Sequence, residues 1–220
     1  MSSAYVFDAY GTLFNVHAAI ARYRAAAGPE AERFSEIWRT KQLEYTWTLT
    51  LAGHYVDFWT LTERALDFAL ARVPSVDRAL RPKLLEAYLT LDAFADVRAA
   101  LNDLKARGAR LAILSNGSPR MLDAAVEAAG LGGLLDSVLS VDAVRRYKPR
   151  PEVYALVTDN LALEPPDVAF VSSNRWDVMG AVSFGFHAFW VNRGRMPDEY
   201  LEFAPGCEIA NLAALPSAER

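Results

Sequence analysis

Five short apolar runs, each closed by small or polar residues, constrain this chain more than any other feature. They are Tyr5-Val6-Phe7, Leu111-Ala112-Ile113-Leu114, Ser137-Val138-Leu139, Val168-Ala169-Phe170-Val171 and Ala188-Phe189-Trp190-Val191. Unbroken apolar runs of this length read as buried parallel strands. Helical patterns separate the later ones. Val97 to Arg107 carries Leu101 and Leu104 on one face and stops at Gly108, and Pro119 to Ala129 stops at Gly130. Pro151 to Leu161 and Asp177 to Phe184 complete the series. Strands alternating with helices require right-handed crossovers, hence an α/β fold: a doubly wound parallel sheet with a Rossmann-like core.

The interval from about Val16 to Leu91 breaks that alternation. It is rich in Ala, Leu, Glu and Arg, reads as helix throughout, and is too long for a simple crossover. The expectation is an inserted helical cap domain at 16–92, with residues 1–15 and 93–220 forming the core domain. The chain has 220 residues, enough to bury a sizeable core, with 52% apolar and 23% charged residues. A net charge of −4 without any Lys/Arg run argues against nucleic acid or an anionic membrane as partner. The single cysteine, Cys207, excludes an intrachain disulfide, fits a reducing compartment and reads as an inert thiol. The start, MSSAYVFDAYGTLF, lacks the cationic and apolar regions of a secretion signal, and no uncharged apolar stretch of about 18 residues suggests a membrane span. A cytoplasmic location is the default.

Ligands of such sheets bind outside the carboxyl ends of the strands. Asp8 stands there after the first strand, and Ser115-Asn116-Gly117 after the second. Lys148-Pro149 follows the third strand and its loop, and Ser172-Ser173-Asn174 with Asp177 follows the fourth. Asp8 can present its carboxylate to a ligand while backbone N–H groups of the next turn orient it, and Gly11 permits a tight reversal. An isolated D-x-x-G-T is more often an Asp capping a turn. Four polar groups converging on one crevice reverse that preference.

These residues resemble the motifs of the haloacid dehalogenase superfamily: D-x-x-G-T at 8–12, S-N at 115–116, K-P at 148–149 and an Asp-containing loop at 172–177. The resemblance implies that Asp8 attacks an electrophile and forms a covalent aspartyl intermediate. Most members transfer phosphoryl groups, with a second Asp two residues after the nucleophile and an acidic pair in the last motif for magnesium. Here Tyr10 stands at the first of those positions, and Ser172-Ser173-Asn174-Arg175-Trp176-Asp177 carries one carboxylate. Mg²⁺ needs oxygen ligands and negative charge, which Lys148 and a nearby Arg175 would oppose. No metal and no cofactor are therefore expected.

The chain is more specifically similar to the (S)-2-haloacid dehalogenases. The stretch from Trp38 to Trp47 in the cap, Asp57-Phe58-Trp59, Lys148-Pro149 with Tyr154, and Ser172-Ser173-Asn174 with Trp176-Asp177 all resemble that subfamily; Arg175 and Asn15 are less typical. The resemblance implies that Asp8 displaces halide from C2 of a short 2-halo carboxylic acid with inversion, and that water then hydrolyses the Asp8 ester. Arg39 and Asn116 would stabilise the leaving halide, with the edge of Phe58 beside it. Ser115 and turn N–H groups would hold the substrate carboxylate, and Asp177 and Lys148 would activate and position the water. Thr12, Tyr154, Ser172 and Asn174 would orient Asp8, Lys148 and that water. Tyr10, Leu43 and Trp176 would wall the pocket. A homodimer is implied by the subfamily, and exposed aromatics on the cap helices would allow it.

Two other readings are a magnesium-dependent phosphatase on the same fold, which Tyr10 opposes, and a non-catalytic scaffold, which the joint presence of Asp8, Lys148 and Asp177 opposes. His17, His54 and His187 lack partners at metal-ligand spacing, and no G-x-S-x-G turn suggests a Ser-His-Asp hydrolase.

Overall fold

The computed structural model describes residues 4–215. Six parallel strands form one sheet in the order β3-β2-β1-β4-β5-β6. They are β1 (Ala4–Phe7), β2 (Arg110–Ser115), β3 (Ser137–Ser140), β4 (Val168–Ser172), β5 (His187–Val191) and β6 (Cys207–Ile209). The expected doubly wound α/β fold is the one observed. The sheet grows outward in both directions from β1, which pairs with β2 on one side and β4 on the other. That reversal of winding opens a crevice at the carboxyl end of β1, and Asp8 is the next residue. All four residues of β1 are buried, as a central strand covered on both faces requires. The third strand differs from expectation. It lies at the sheet edge and Val138 is exposed, so its apolar run reports edge packing rather than full burial. The three-residue β6 carries too little apolar pattern to be read from sequence.

Helices α6 (Val97–Ala106), α7 (Pro119–Ala128), α8 (Pro151–Leu161) and α9 (Arg175–Phe184) supply the crossovers. The helix expected from Asp177 begins two residues earlier, so Asp177 lies in its first turn. Between β1 and α6 the chain forms five helices rather than one continuous stretch: α1 (Ala18–Ala21), α2 (Arg24–Ala27), α3 (Ala31–Leu51), α4 (Phe58–Arg72) and α5 (Arg81–Leu89). Gly28 and Gly53, both at positive φ, interrupt the pattern, as does Asp57, whose carboxylate caps α4 by accepting from Thr60 N at 3.0 Å. The outgoing and returning chains meet in a two-stranded neck. Asn15 N donates to Asp92 O and Phe94 N to Leu13 O, each at 2.9 Å. The aromatics of this segment do not form an exposed face: Phe34, Trp38, Phe58 and Tyr88 are buried and the rest half-buried.

Candidate active site

The chain leaves β1 with Asp8 N donating to Val171 O at 2.9 Å. The Asp8 carboxylate is nearly buried and accepts three hydrogen bonds. Lys148 Nζ donates to Oδ1 at 3.1 Å; Thr12 Oγ1 at 3.0 Å and Asn174 Nδ2 at 2.8 Å donate to Oδ2. All three donors are side chains. The turn N–H groups from Gly11 to Phe14 are used elsewhere: Gly11 N donates to Phe14 O at 2.8 Å, and Leu13 N and Phe14 N both donate to Ala9 O at 2.9 Å. Gly11 makes the reversal at φ +98°, a conformation that disfavours a side chain.

Lys148 is fully enclosed and commits all three ammonium protons. Besides Asp8 it donates to Asp177 Oδ2 at 2.8 Å and to Leu114 O at 2.7 Å. Burial alone would lower its pKa, but Asp177 and Asp8 outweigh burial and leave it above the ordinary lysine value. Burial pushes the Asp177 carboxyl up to about 6, against the downward pull of Lys148. Tyr154, from α8, donates to Asp177 Oδ1 at 2.8 Å. Burial, followed by the charge of Asp177, raises the Tyr154 hydroxyl well above its usual range, so it stays a donor. Its bond is thus to Asp177 rather than to Asp8 or Lys148. Ser172 Oγ accepts from Asn174 N at 3.1 Å and so acts on Asp8 only through Asn174.

Two glycines make these approaches possible, Gly180, which the sequence reading missed, and Gly117, which it placed at a strand end without this role. A Cβ on Gly180, inside α9, would collide with the Tyr154 hydroxyl and come within 2.7 Å of Pro149 Cβ. A Cβ on Gly117 would lie 2.7 Å from the Tyr10 ring. A glycine inside a helical pattern costs about 1 kcal/mol, which is the signal that could have marked Gly180 as a packing site.

Asp8, Tyr10, Arg39, Leu43, Phe58, Ser115, Asn116, Asn174 and Trp176 enclose a small cavity of about 10 Å³. All the expected substrate- and halide-binding residues therefore share one space with Asp8. Arg39 reaches it from α3. Its Nη2 donates to Tyr10 O at 3.0 Å, while its Nη1 is buried without a partner. Asn116 Oδ1 accepts from Lys148 N at 3.1 Å, so the group left for a ligand is its Nδ2 donor. Ser115 Oγ accepts from Gly117 N at 3.0 Å and keeps its own proton to donate. The Tyr10 ring stacks on Tyr88 at 5.7 Å and packs against Phe58 at 6.0 Å. Burial raises the Tyr10 hydroxyl far above its usual range, so this wall is neutral. The cavity offers unpaired donors among aromatic faces, an arrangement suited to an anion in a dry space.

Among the described residues no group of three or more His, Cys, Asp or Glu could hold a metal. The ammonium of Lys148 already bridges the two carboxylates. Arg175, expected to add charge here, is instead neutralised away from Asp8. Its Nε donates to Asp198 at 2.7 Å, and Nη2 to Tyr200 O and Phe203 O at 2.7 and 2.9 Å. His17 pairs with Ser35 at 2.7 Å.

A family model described as haloacid dehalogenase-like hydrolase matches residues 3–185. The (S)-2-haloacid dehalogenase 1 of Pseudomonas sp. (strain CBS-3) is 47% identical over 97% of this chain and 94% of its own length. The (S)-2-haloacid dehalogenase 4A of Burkholderia cepacia is 49% identical over 92% and 87% respectively. Among solved structures, the L-2-haloacid dehalogenase of Xanthobacter autotrophicus with chloropropionic acid covalently bound superimposes with a TM-score of 0.90 at 37% identity, covering 100% of this chain and 99% of that one.

Proposed function

The chain belongs to the haloacid dehalogenase-like hydrolases and acts on carbon–halide bonds, and from that premise we propose how its own residues carry the reaction. The reaction is hydrolysis of short (S)-2-haloalkanoic acids to (R)-2-hydroxy acids through an ester on Asp8. The observation that carries the assignment of roles is the side-chain frame around Asp8, in a small cavity that Arg39, with an unpaired Nη1, and Asn116, with its Nδ2 donor uncommitted, also line.

In the first step an Asp8 oxygen bonds to C2 on the face opposite the halogen, and the C–X pair leaves with halide. A halide needs no proton, which is why Tyr10 can stand where a phosphatase keeps an acid. It does need compensation for developing negative charge. Arg39 and Asn116 supply donors, and Phe58 excludes water beside them. Ser115 donates to the substrate carboxylate. In the second step water attacks the Cγ of the Asp8 ester. Whichever Asp8 oxygen carries the ester, the other keeps a donor, either Lys148 Nζ or the pair Thr12 and Asn174, to stabilise the oxyanion. Asp177 accepts the water proton, held in place by Lys148 and Tyr154. Collapse passes that proton from Asp177 to the product alkoxide; the second water proton, left on the Asp8 carboxyl, is released to solvent and restores the carboxylate. Lys148 has no free proton for the water, so its work is to fix two carboxylates side by side.

Residues 16–92 act in this account as a cap bringing Arg39, Leu43 and Phe58 to a core of 1–15 and 93–220; the described residues support this from 4 to 215 only. A homodimer in the cytoplasm completes the proposal, on the strength of the family resemblance and the single cysteine, and light scattering checks the dimer. The reaction itself is tested by chloride release from (S)-2-chloropropionate. The proposal expects release undiminished by EDTA and no turnover of p-nitrophenyl phosphate with Mg²⁺. Phosphate release that EDTA abolishes would return the phosphatase reading.

A further inference from the structure

Three polar side chains lie in the interior of the cap, and the catalytic scheme uses none of them. Gln42 comes from α3, Thr62 from α4 and Tyr88 from α5. Gln42 and Thr62 have no exposed surface and Tyr88 has 2%. The Tyr88 ring stacks on Tyr10 at 5.7 Å and packs on Trp38 at 5.1 Å. Polar groups enclosed in this way cost stability unless they are bonded. These are bonded to one another.

Their bonds run in one direction. Thr62 Oγ1 spends its only proton on Phe58 O at 2.8 Å, so it can only accept from Gln42 Nε2, which donates to it at 2.8 Å. That sets the Gln42 amide with Oε1 toward Tyr88, whose hydroxyl donates to it at 3.1 Å. Tyr88 then has no proton left and offers only lone pairs to any further partner. That partner is a cation. Burial raises the Tyr88 hydroxyl, and the charge and donors of Arg39 draw it back down. Every bond in the chain therefore points from Arg39 toward Phe58, the first residue of α4, and bonds aligned in this way strengthen one another. The same guanidinium donates through Nη2 to Tyr10 O at 3.0 Å. Trp38 Nε1, donating to Thr62 O at 2.9 Å, ties α3 to α4 beside the chain.

Resting on the dehalogenase reading, we propose that Tyr88, Gln42 and Thr62 are positioning residues: they fix the guanidinium of Arg39 relative to Phe58 and so set how strongly the enzyme favours one leaving halide over another. An arginine side chain has many rotamers, and the Tyr10 carbonyl holds only one of its nitrogens. A second fixed acceptor defines the plane of the planar fork. The chain ends on the Phe58 backbone, so Nη1 keeps its place beside that residue, the other cap group assigned to the halogen. A donor held rigidly serves best the halide that needs it most. Chloride is the poorer leaving group and gathers its charge in a smaller ion, so it draws on that donor more than bromide does. Part of the halide preference is thus carried by the cap interior, behind the pocket wall.

The test is the ratio of kcat/KM for (S)-2-bromopropionate to that for (S)-2-chloropropionate, taken on each protein separately so that folding yield cancels. This constant covers the steps up to halide departure, and a purely structural role would slow both acids alike. Tyr88→Phe keeps the ring and its stacking and is expected to raise the ratio at least about fivefold. Gln42→Met, which leaves the Tyr88 hydroxyl without its acceptor, raises it about threefold. In an Arg39→Lys background, adding Tyr88→Phe leaves the ratio within about twofold, because the group through which it acts is gone. An unchanged ratio in either single variant, or a further rise in the Arg39→Lys background, overturns the positioning role and leaves the dehalogenase reading standing. Absence of halide release from both acids in the wild type overturns both.

Discussion

The two halves of the site are built to different standards. On the core side, every charged group is enclosed and fully bonded: Lys148 spends three protons, Asp8 accepts three bonds, and Asp177 is held at both oxygens. On the cap side, Arg39 is half-buried: its Nη2 donates to the Tyr10 carbonyl, its guanidinium also acts on the Tyr88 hydroxyl, and its Nη1 is unpaired. The core frame hangs from strand ends whose positions the sheet register fixes. The cap contributes side chains from a long helix across a two-stranded neck. The difference separates what must be in place before substrate arrives from what closes on it. In the proposed mechanism nucleophile and base are preorganised by the protein, whereas the cap's donor is left for the leaving halide to complete.

That contrast breaks most sharply at Lys148. Lys148→Met leaves two carboxylates facing each other in a buried space. It is expected to destabilise the fold by about 3–5 kcal/mol in urea unfolding and to abolish measurable turnover. A variant as stable as the parent would show that the core charges are not mutually dependent. Asp177 sharpens the same half. Hydrolysis needs its carboxylate form, and burial holds its pKa near 6, so activity should fall as pH drops through about 6. Asp177→Asn is expected to lose about 10³-fold in ester hydrolysis and to lose that acid limb. An unchanged limb in the variant would assign it to another group.

On the cap side the expected effects are smaller and leave stability alone. Arg39→Lys swaps a planar donor pair for a single ammonium and should cost about 10²-fold in kcat/KM with no shift in the unfolding midpoint. A drop in stability would mean that Arg39 is structural, contrary to the comparison. The smallest effect belongs to Tyr154→Phe, which removes one of the bonds on Asp177. About tenfold is expected in kcat, together with a rise in the pH of the acid limb, because the carboxylate loses a donor.

The legible part of this molecule was the part that backbone periodicity and strand ends dictate. Asp8, Ser115, Asn116, Lys148 and Asp177 could be placed because each follows a readable apolar run or its loop. Partner choice was less legible. That Tyr154 serves Asp177, that Ser172 acts through Asn174, and that Arg175 turns to Asp198 all depend on side-chain directions set by packing. Gly180 and Gly117 are telling cases: their role is to lack a side chain where Tyr154 and Tyr10 approach. The exposed aromatics expected on the cap proved to pack within it and onto the core, as Trp47 does on Trp176 and Tyr55 on Tyr147, since a helix rich in Trp and Tyr looks alike in sequence whether it faces a partner or a neighbouring element. The three-residue β6 fell below any pattern a short run can show.

The central claim is that the oxygen delivered to product comes from Asp8, which water then restores. Single-turnover reaction with (S)-2-chloropropionate in ¹⁸O water, followed by mass spectrometry of the peptide containing Asp8, tests it directly. The account predicts one ¹⁸O in the Asp8 carboxylate and unlabelled lactate. Label in lactate with none in Asp8 would mean that water attacks C2 itself, and would contradict it.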